Sequence, residues 1–191
     1  MRAALSQMWE CLREGSLPVK GKDEPLKSIP VAFHRAFVRV NSLDDRDLLE
    51  QDLKCCASSF VKGFIFPKSR CQDDILTFER MLKHLEEESG ISDGHFKIVP
   101  IIETAAALLN VEAIAKSSDR VVSLIFGSAD LAADMACLDT ENFRRTYRPL
   151  VALAAKSAGI GAINTPTVSI WSYARFFRET QYVFLLTFFP V

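Results

Sequence analysis

No apolar stretch in this 191-residue chain approaches the ~20 residues that span a bilayer. YVFLLTFFP, from Tyr182 to Pro190 and interrupted by Thr187, is less than half that length, so no membrane helix is expected. Positive charge is not in excess either. The 23 Lys and Arg residues against 24 Asp and Glu give a net charge of −1, and they gather into no stripe, which excludes the electrostatic footprint of a nucleic-acid binder. Cysteines are few. Cys11, Cys55, Cys56, Cys71 and Cys137 form no CxxC, and their odd number predicts reduced thiols acting as small core hydrophobes in an intracellular compartment. The opening MRAALSQMWECLREG lacks the apolar core of a secretory signal. Cytoplasm is the expected location, with the mitochondrion as the alternative. His34, His84 and His95 pair with no cysteine at zinc-ligand spacing. Neither GxGxxG nor GxxxxGK[ST] follows any candidate strand, which counts against a nucleotide-binding Rossmann fold.

What is present reads as one globular domain spanning 1–191, with 49% hydrophobic and 25% charged residues. After the polar SLPVKGKDEPLKSIP, short apolar runs alternate with helical stretches. Strands are predicted over 36–40 (AFVRV), 63–67 (GFIFP), 97–102 (KIVPII), 121–126 (VVSLIF) and 159–163 (GIGAI). Between them, 73–89 places Ile75, Phe78, Met81, Leu82 and Leu85 at helical spacing. TAAALLNVEAIAKSS continues as a helix, and NFRRTYRPLVALAAKSAG stops at Gly159, a candidate left-handed terminator. Strands separated by helices imply parallel pairing, and the pitch of roughly 25 to 40 residues is that of a repeated βα unit.

Active sites of parallel α/β folds lie beyond the carboxyl ends of the strands. Three charged residues fall on that edge: Arg39 in FVRVNS, Glu103 in VPIIETA and Asp130 in IFGSADLAAD. Glu103 and Asp130 are one βα unit apart, so they would end neighbouring strands about 5 Å apart in the pairing direction. Two carboxylates that close repel each other unless a cation neutralises them, and oxygen ligands alone favour Mg²⁺, with Mn²⁺ as the alternative. Plainer roles exist for all three. Glu103 could favour the dipole of the following helix, Asp130 could cap LAADMA, and Arg39 could be a solvent-facing strand residue.

In order along the chain, FVRVNS, FIFPKS, VPIIETAAALLN, IFGSADLAADM and LAAKSAGIGAINTP resemble the HpcH/HpaI aldolase and citrate lyase beta-subunit-like family. The likeness runs over 36–166 and leaves 167–191 as a divergent tail. It implies an incomplete TIM-type (β/α) barrel, α/β in class, from a family of Mg²⁺-dependent carbon–carbon lyases that assemble as trimers or hexamers. The implied reaction is retro-aldol or Claisen cleavage of a hydroxyacyl-CoA of the citryl-, malyl- or citramalyl-CoA type. Arg39 falls on the family's carboxylate-gripping arginine, and Glu103 and Asp130 fall on its metal ligands. Glu103 would also touch the substrate, and Lys68 in PKS is a further candidate for substrate binding and for stabilising the developing enolate.

The chain also departs from the family pattern. Two strands that precede AFVRVNS in the family have no counterpart, Asn164 stands where its AID segment has aspartate, and TVSIWSYARFFRETQYVFLLTFFPV replaces its usual ending. Five barrel strands leave sheet edges exposed, and VFLLTFF could serve as a surrogate strand or form an aggregation-prone tail. These departures give a second reading, a shortened, non-catalytic relative with a binding or regulatory role; a third is a CoA-independent 2-oxo-acid aldolase, although the DLAAD and LLN wording leans toward the citrate lyase side.

Overall fold

Five strands and six helices alternate through residues 36–164, the part of the chain that the computed structural model describes. The expectations for the opening segment and for the 167–191 tail, VFLLTFF included, lie outside these residues. The order is β1 (Ala36–Arg39), α1 (Arg46–Cys56), β2 (Val61–Phe66), α2 (Gln72–Ser89), β3 (Lys97–Ile102), α3 (Ala105–Leu109), α4 (Val111–Ala115), β4 (Ser123–Phe126), α5 (Ser128–Asp134), α6 (Glu141–Ser157) and β5 (Gly161–Ile163). Each strand lies parallel to the one before it, in the order β1-β2-β3-β4-β5. A doubly wound sheet reverses its direction of addition at a switch point, whereas this one never does. Its winding is that of a barrel wall, left open among the described residues because β1 and β5 each pair on one side only. None of the described helices is long and apolar enough to cross a membrane.

Strand alternation gives the wall two different faces. Phe64 and Phe66 of β2 point at α2, where Phe66 stacks on Phe78 with ring centroids 4.3 Å apart. Ile98, Ile102, Leu124 and Phe126 continue this face, and all are buried against the helices. The pairing register puts Arg39, Ile65 and Val99 together on the opposite face, with Ile101 and Ile125 level with each other further along. Ile65 and Ile125 are only half-buried there.

Gly63 shows how tightly the strands approach. A Cβ at this position would lie 2.2 Å from the backbone carbonyl oxygen of Lys97 and 2.7 Å from the Phe37 ring. Backbone cannot yield as a side-chain tip can. Gly63→Ala is therefore expected to destabilise the protein by about 3 kcal/mol or more, read as a lower urea midpoint, and an unchanged midpoint would refute this packing.

Strand 97–102 falls where the sequence places it. The helix expected over TAAALLNVEAIAKSS divides instead into α3 and α4 at Asn110. The Asn110 amide donates to Ala106 O at 3.0 Å and to Arg70 O at 3.2 Å, the local competition for backbone carbonyls that makes asparagine a poor helix interior. Expected strand 121–126 is shorter, because Val121 makes only an isolated bridge to Ile98 before β4 begins. Gly159, at φ +71°, turns the chain from α6 into β5 in the left-handed conformation read from its sequence.

At the amino ends of β3 and β4 sits a buried ion network. Arg120 donates to both oxygens of Glu86 at 2.7 and 2.8 Å, to Asp93 at 2.8 Å and to Phe96 O at 3.1 Å. Glu86 also accepts the backbone N–H groups of Phe96 and Gly94 at 2.7 and 3.1 Å. Burial alone would raise the Glu86 carboxyl, but the Arg120 guanidinium and these N–H donors hold it below its ordinary value.

Candidate metal and substrate site

The chain reaches Glu103 directly from β3. Thr104 then caps α3 by accepting Ala107 N–H at 3.1 Å, so Glu103 sits one residue outside the helix, where the sheet ends. It is 3% exposed. Its Oε1 accepts the Lys68 backbone N–H at 2.7 Å across the end of β2. On the other side, Gly127 donates its N–H to Ile102 O at 3.0 Å, bringing the end of β4 against the end of β3. A Cβ on Gly127 would stand 2.7 Å from Glu103 Cβ and 3.3 Å from its Oε2. Only a residue without a side chain leaves room for the carboxylate here.

Asp130 occupies the first turn of α5, which begins immediately after Gly127; the helix is capped at Gly127, so Asp130 is not its N-cap. Burial pushes the Glu103 carboxyl above its ordinary range, while the Lys68 N–H partly offsets the rise. Asp130 raises it further by its negative charge, and Arg39 pulls in the opposite direction. Arg39, Glu103 and Asp130 thus meet electrostatically at one end of the sheet. Lys68 joins them through its backbone. Its ammonium lies 3.6 Å from Asp44 in a solvent-exposed pair.

Does this donor set suit Mg²⁺? Among the described residues no group of three His, Cys, Asp or Glu side chains converges. Of the described histidines, His95 Nε2 contacts Val61 O at 3.0 Å and His84 pairs with Glu88 on the outside of α2. Among the described residues the four-coordinate nitrogen and sulfur environment of zinc is not formed. A pair of hard carboxylates suits Mg²⁺, which is commonly held by one or two and keeps several waters. Burial first, and then the Asp130 charge, raise Glu103, and a cation bound there would relieve both. The residues fit the ion.

Sequence reasoning missed the N–H group that holds Glu103 and the glycine that leaves room beside it. Gly127 was visible inside FGSAD, where a glycine at a strand end signals close backbone approach. The Lys68 contribution left no signal, since it depends on a backbone N–H. Cys56, one of the thiols read as a core residue, is buried, and burial first, then Asp52 and Cys55, push it up to about 12. It is no nucleophile at neutral pH. Among the described residues, the side-chain oxygen of Asn164, just past β5, is buried without a hydrogen-bond partner.

The model of the family described as HpcH/HpaI aldolase/citrate lyase matches residues 25–188. Citrate lyase subunit beta of Leuconostoc mesenteroides subsp. cremoris is 26% identical over 167 residues, covering 86% of this chain and 55% of that protein. An L-malyl-CoA/beta-methylmalyl-CoA lyase of Cereibacter sphaeroides is 33% identical over 111 residues, 54% of this chain and 33% of the relative. The chain therefore spans about half the length of the first relative and a third of the second. The citrate lyase beta subunit of M. tuberculosis, solved with oxaloacetate and magnesium, superposes with a TM-score of 0.68 at 19% identity, covering 83% of this chain and 67% of that one. That likeness establishes a shared fold.

Proposed function

Because the chain belongs to the HpcH/HpaI aldolase/citrate lyase family, we propose that it takes part in Mg²⁺-dependent cleavage of a carbon–carbon bond in a hydroxyacyl-CoA of the citryl-, malyl- or citramalyl-CoA type. The single observation that carries this reading is Glu103, a buried carboxylate with raised proton affinity that shares the carboxyl edge of the sheet with Asp130 and Arg39. Its neighbours are of mixed sign: the Asp130 charge opposes its ionisation and the Arg39 charge favours it, with burial leaving the balance on the raised side.

Each residue takes a role from its chemistry. The Arg39 guanidinium is a planar fork suited to bidentate grip of the substrate's free carboxylate, which orients the acid half. Glu103 and Asp130 would hold Mg²⁺, which supplies Lewis-acid polarisation of the substrate's oxygens when bound. A carboxylate must be deprotonated to ligate a cation, so the raised proton affinity of Glu103 would make Mg²⁺ binding there compete with protonation. Burial of Glu103 keeps its side of the site dry, where fixed charges act more strongly than in water.

The test is to incubate the 191-residue chain with citryl-, malyl- and citramalyl-CoA with and without Mg²⁺ and to follow formation of the 2-oxo acid and the shorter acyl-CoA. Cleavage of at least one, lost with chelator, is expected. Arg39→Ala should weaken binding of the free acid half about 10- to 100-fold by calorimetry. Binding of Mg²⁺ and acid without carbon–carbon cleavage of any of the three substrates would instead support the non-catalytic relative. Failure to bind either would overturn both readings.

A further inference from the structure

We propose that Lys68 is a positioning residue for Glu103 and acts through its backbone N–H, with its ammonium uninvolved; this rests on the reading of Glu103 as a metal ligand. The evidence is conformational. Lys68 has φ +52°, a left-handed backbone that is uphill for any residue carrying a side chain. That conformation aims its N–H at Glu103 Oε1, 2.7 Å away. The side chain points elsewhere, with Nζ 3.6 Å from Asp44 and 59% of the side chain exposed.

Neighbouring residues hold the strained turn in place. Ser69, fully buried, donates its hydroxyl to Ile101 O at 3.3 Å, tying the turn to the strand that delivers Glu103. Arg70 donates its N–H to Asp74 Oδ2 at 2.8 Å, and its carbonyl accepts from Asn110 at 3.2 Å. Strain held by several independent contacts is characteristic of functional turns. Its product here is directional. One Glu103 oxygen is committed to the Lys68 N–H, and Gly127 leaves space for the other on the side from which α5 carries Asp130. The structure thereby fixes which oxygen is free to meet a cation.

Three substitutions at this exposed position separate backbone from ammonium. Mg²⁺ affinity would be measured by calorimetry, together with the melting temperature, for Lys68→Gly, Lys68→Ala and Lys68→Val beside Glu103→Gln. Glycine relaxes the left-handed strain and keeps the N–H, so Lys68→Gly should bind Mg²⁺ within twofold of the parent and melt about 3 °C higher. Alanine should also stay within twofold. Valine, branched at Cβ, resists the left-handed region and should weaken Mg²⁺ binding about 10-fold while still melting cooperatively. Equal losses in all three would show that the ammonium acts, and an unaffected Lys68→Val would show that the backbone does not; either overturns the proposal while Glu103→Gln still weakens binding. If Glu103→Gln leaves Mg²⁺ affinity unchanged, the metal reading itself falls and takes this inference with it.

Discussion

Arg120→Met should destabilise the protein by about 3–5 kcal/mol at neutral pH, because it leaves Glu86 charged and 1% exposed with only two backbone N–H groups to solvate it. The loss exceeds the worth of the ion pair itself, since most of it is the penalty of an uncompensated buried charge. Its pH dependence identifies the cause. In the parent, the folded Glu86 carboxyl lies below the ordinary value of 4.5, so its contribution is fully present above pH ~4.5 and is lost as pH falls toward the folded value. Without Arg120, burial dominates and Glu86 is easier to protonate folded than unfolded, so acid relieves the variant. The stability gap should therefore narrow below about pH 4.5 in urea melts followed by circular dichroism. A gap under 1 kcal/mol at pH 7, or one that ignores pH, would show that the network is not what holds this end together. Glu86→Leu combined with Arg120→Met should recover part of the loss, because removing both charges leaves no uncompensated buried ion, while the Phe96 and Gly94 N–H groups still lose their acceptor.

The position of this network matters as much as its strength. Glu86 and Arg120 tie the end of α2 to the amino ends of β3 and β4, while Glu103 and Asp130 follow the carboxyl ends of the same two strands. At one end of the β3–β4 pair a buried acid is ion-paired and held below its ordinary range, and at the other a buried acid is pushed above it. In barrel folds the amino-terminal face carries stability and the carboxyl-terminal face carries chemistry, and two buried glutamates here divide along that line.

How far the sequence discloses this arrangement depends on the length scale of each cause. KIVPII is legible as β3 because a strand covered on both faces reads as an unbroken apolar run, and the placement of Glu103 and Asp130 follows once neighbouring strands are known to pair in parallel. Glu86 is not legible as a buried acid. It looks like part of the solvated run EEES, and its partner lies 34 residues away, although its position four residues after Leu82 places it beside the apolar stripe. The break at Asn110 hinges on a side chain reaching Arg70 across the fold, a tertiary contact that local periodicity does not encode. Lys68 illustrates the furthest limit: its contribution is a backbone N–H set by a left-handed dihedral, and nothing in the letter Lys signals either.

Glu103→Gln is expected to do the opposite of a substitution at Glu86: it should stabilise the metal-free protein while abolishing its cation site. Burial and the Asp130 charge raise the folded Glu103 carboxyl above its ordinary value of 4.5, outweighing the Lys68 N–H and Arg39. The folded state then binds more protons than the unfolded one, so stability without metal falls as pH rises from about 4.5 through the folded value. Glutamine removes that penalty. At pH 7 the metal-free variant should gain about 1 kcal/mol in urea unfolding, the usual sign of a residue kept for function at the expense of stability. Mg²⁺ affinity should fall at least ~100-fold, since loss of a ligand exceeds the 10- to 100-fold effect of a supporting residue. Asp130→Asn should move the same two quantities in the same directions but by less for stability, because burial continues to raise Glu103. In the parent, Mg²⁺ affinity should climb with pH and level off once Glu103 is deprotonated, as expected when the ion displaces a proton. If Glu103→Gln weakened the fold and spared Mg²⁺ binding, Glu103 would be a structural acid like Glu86, and the site would have to be sought elsewhere on the sheet.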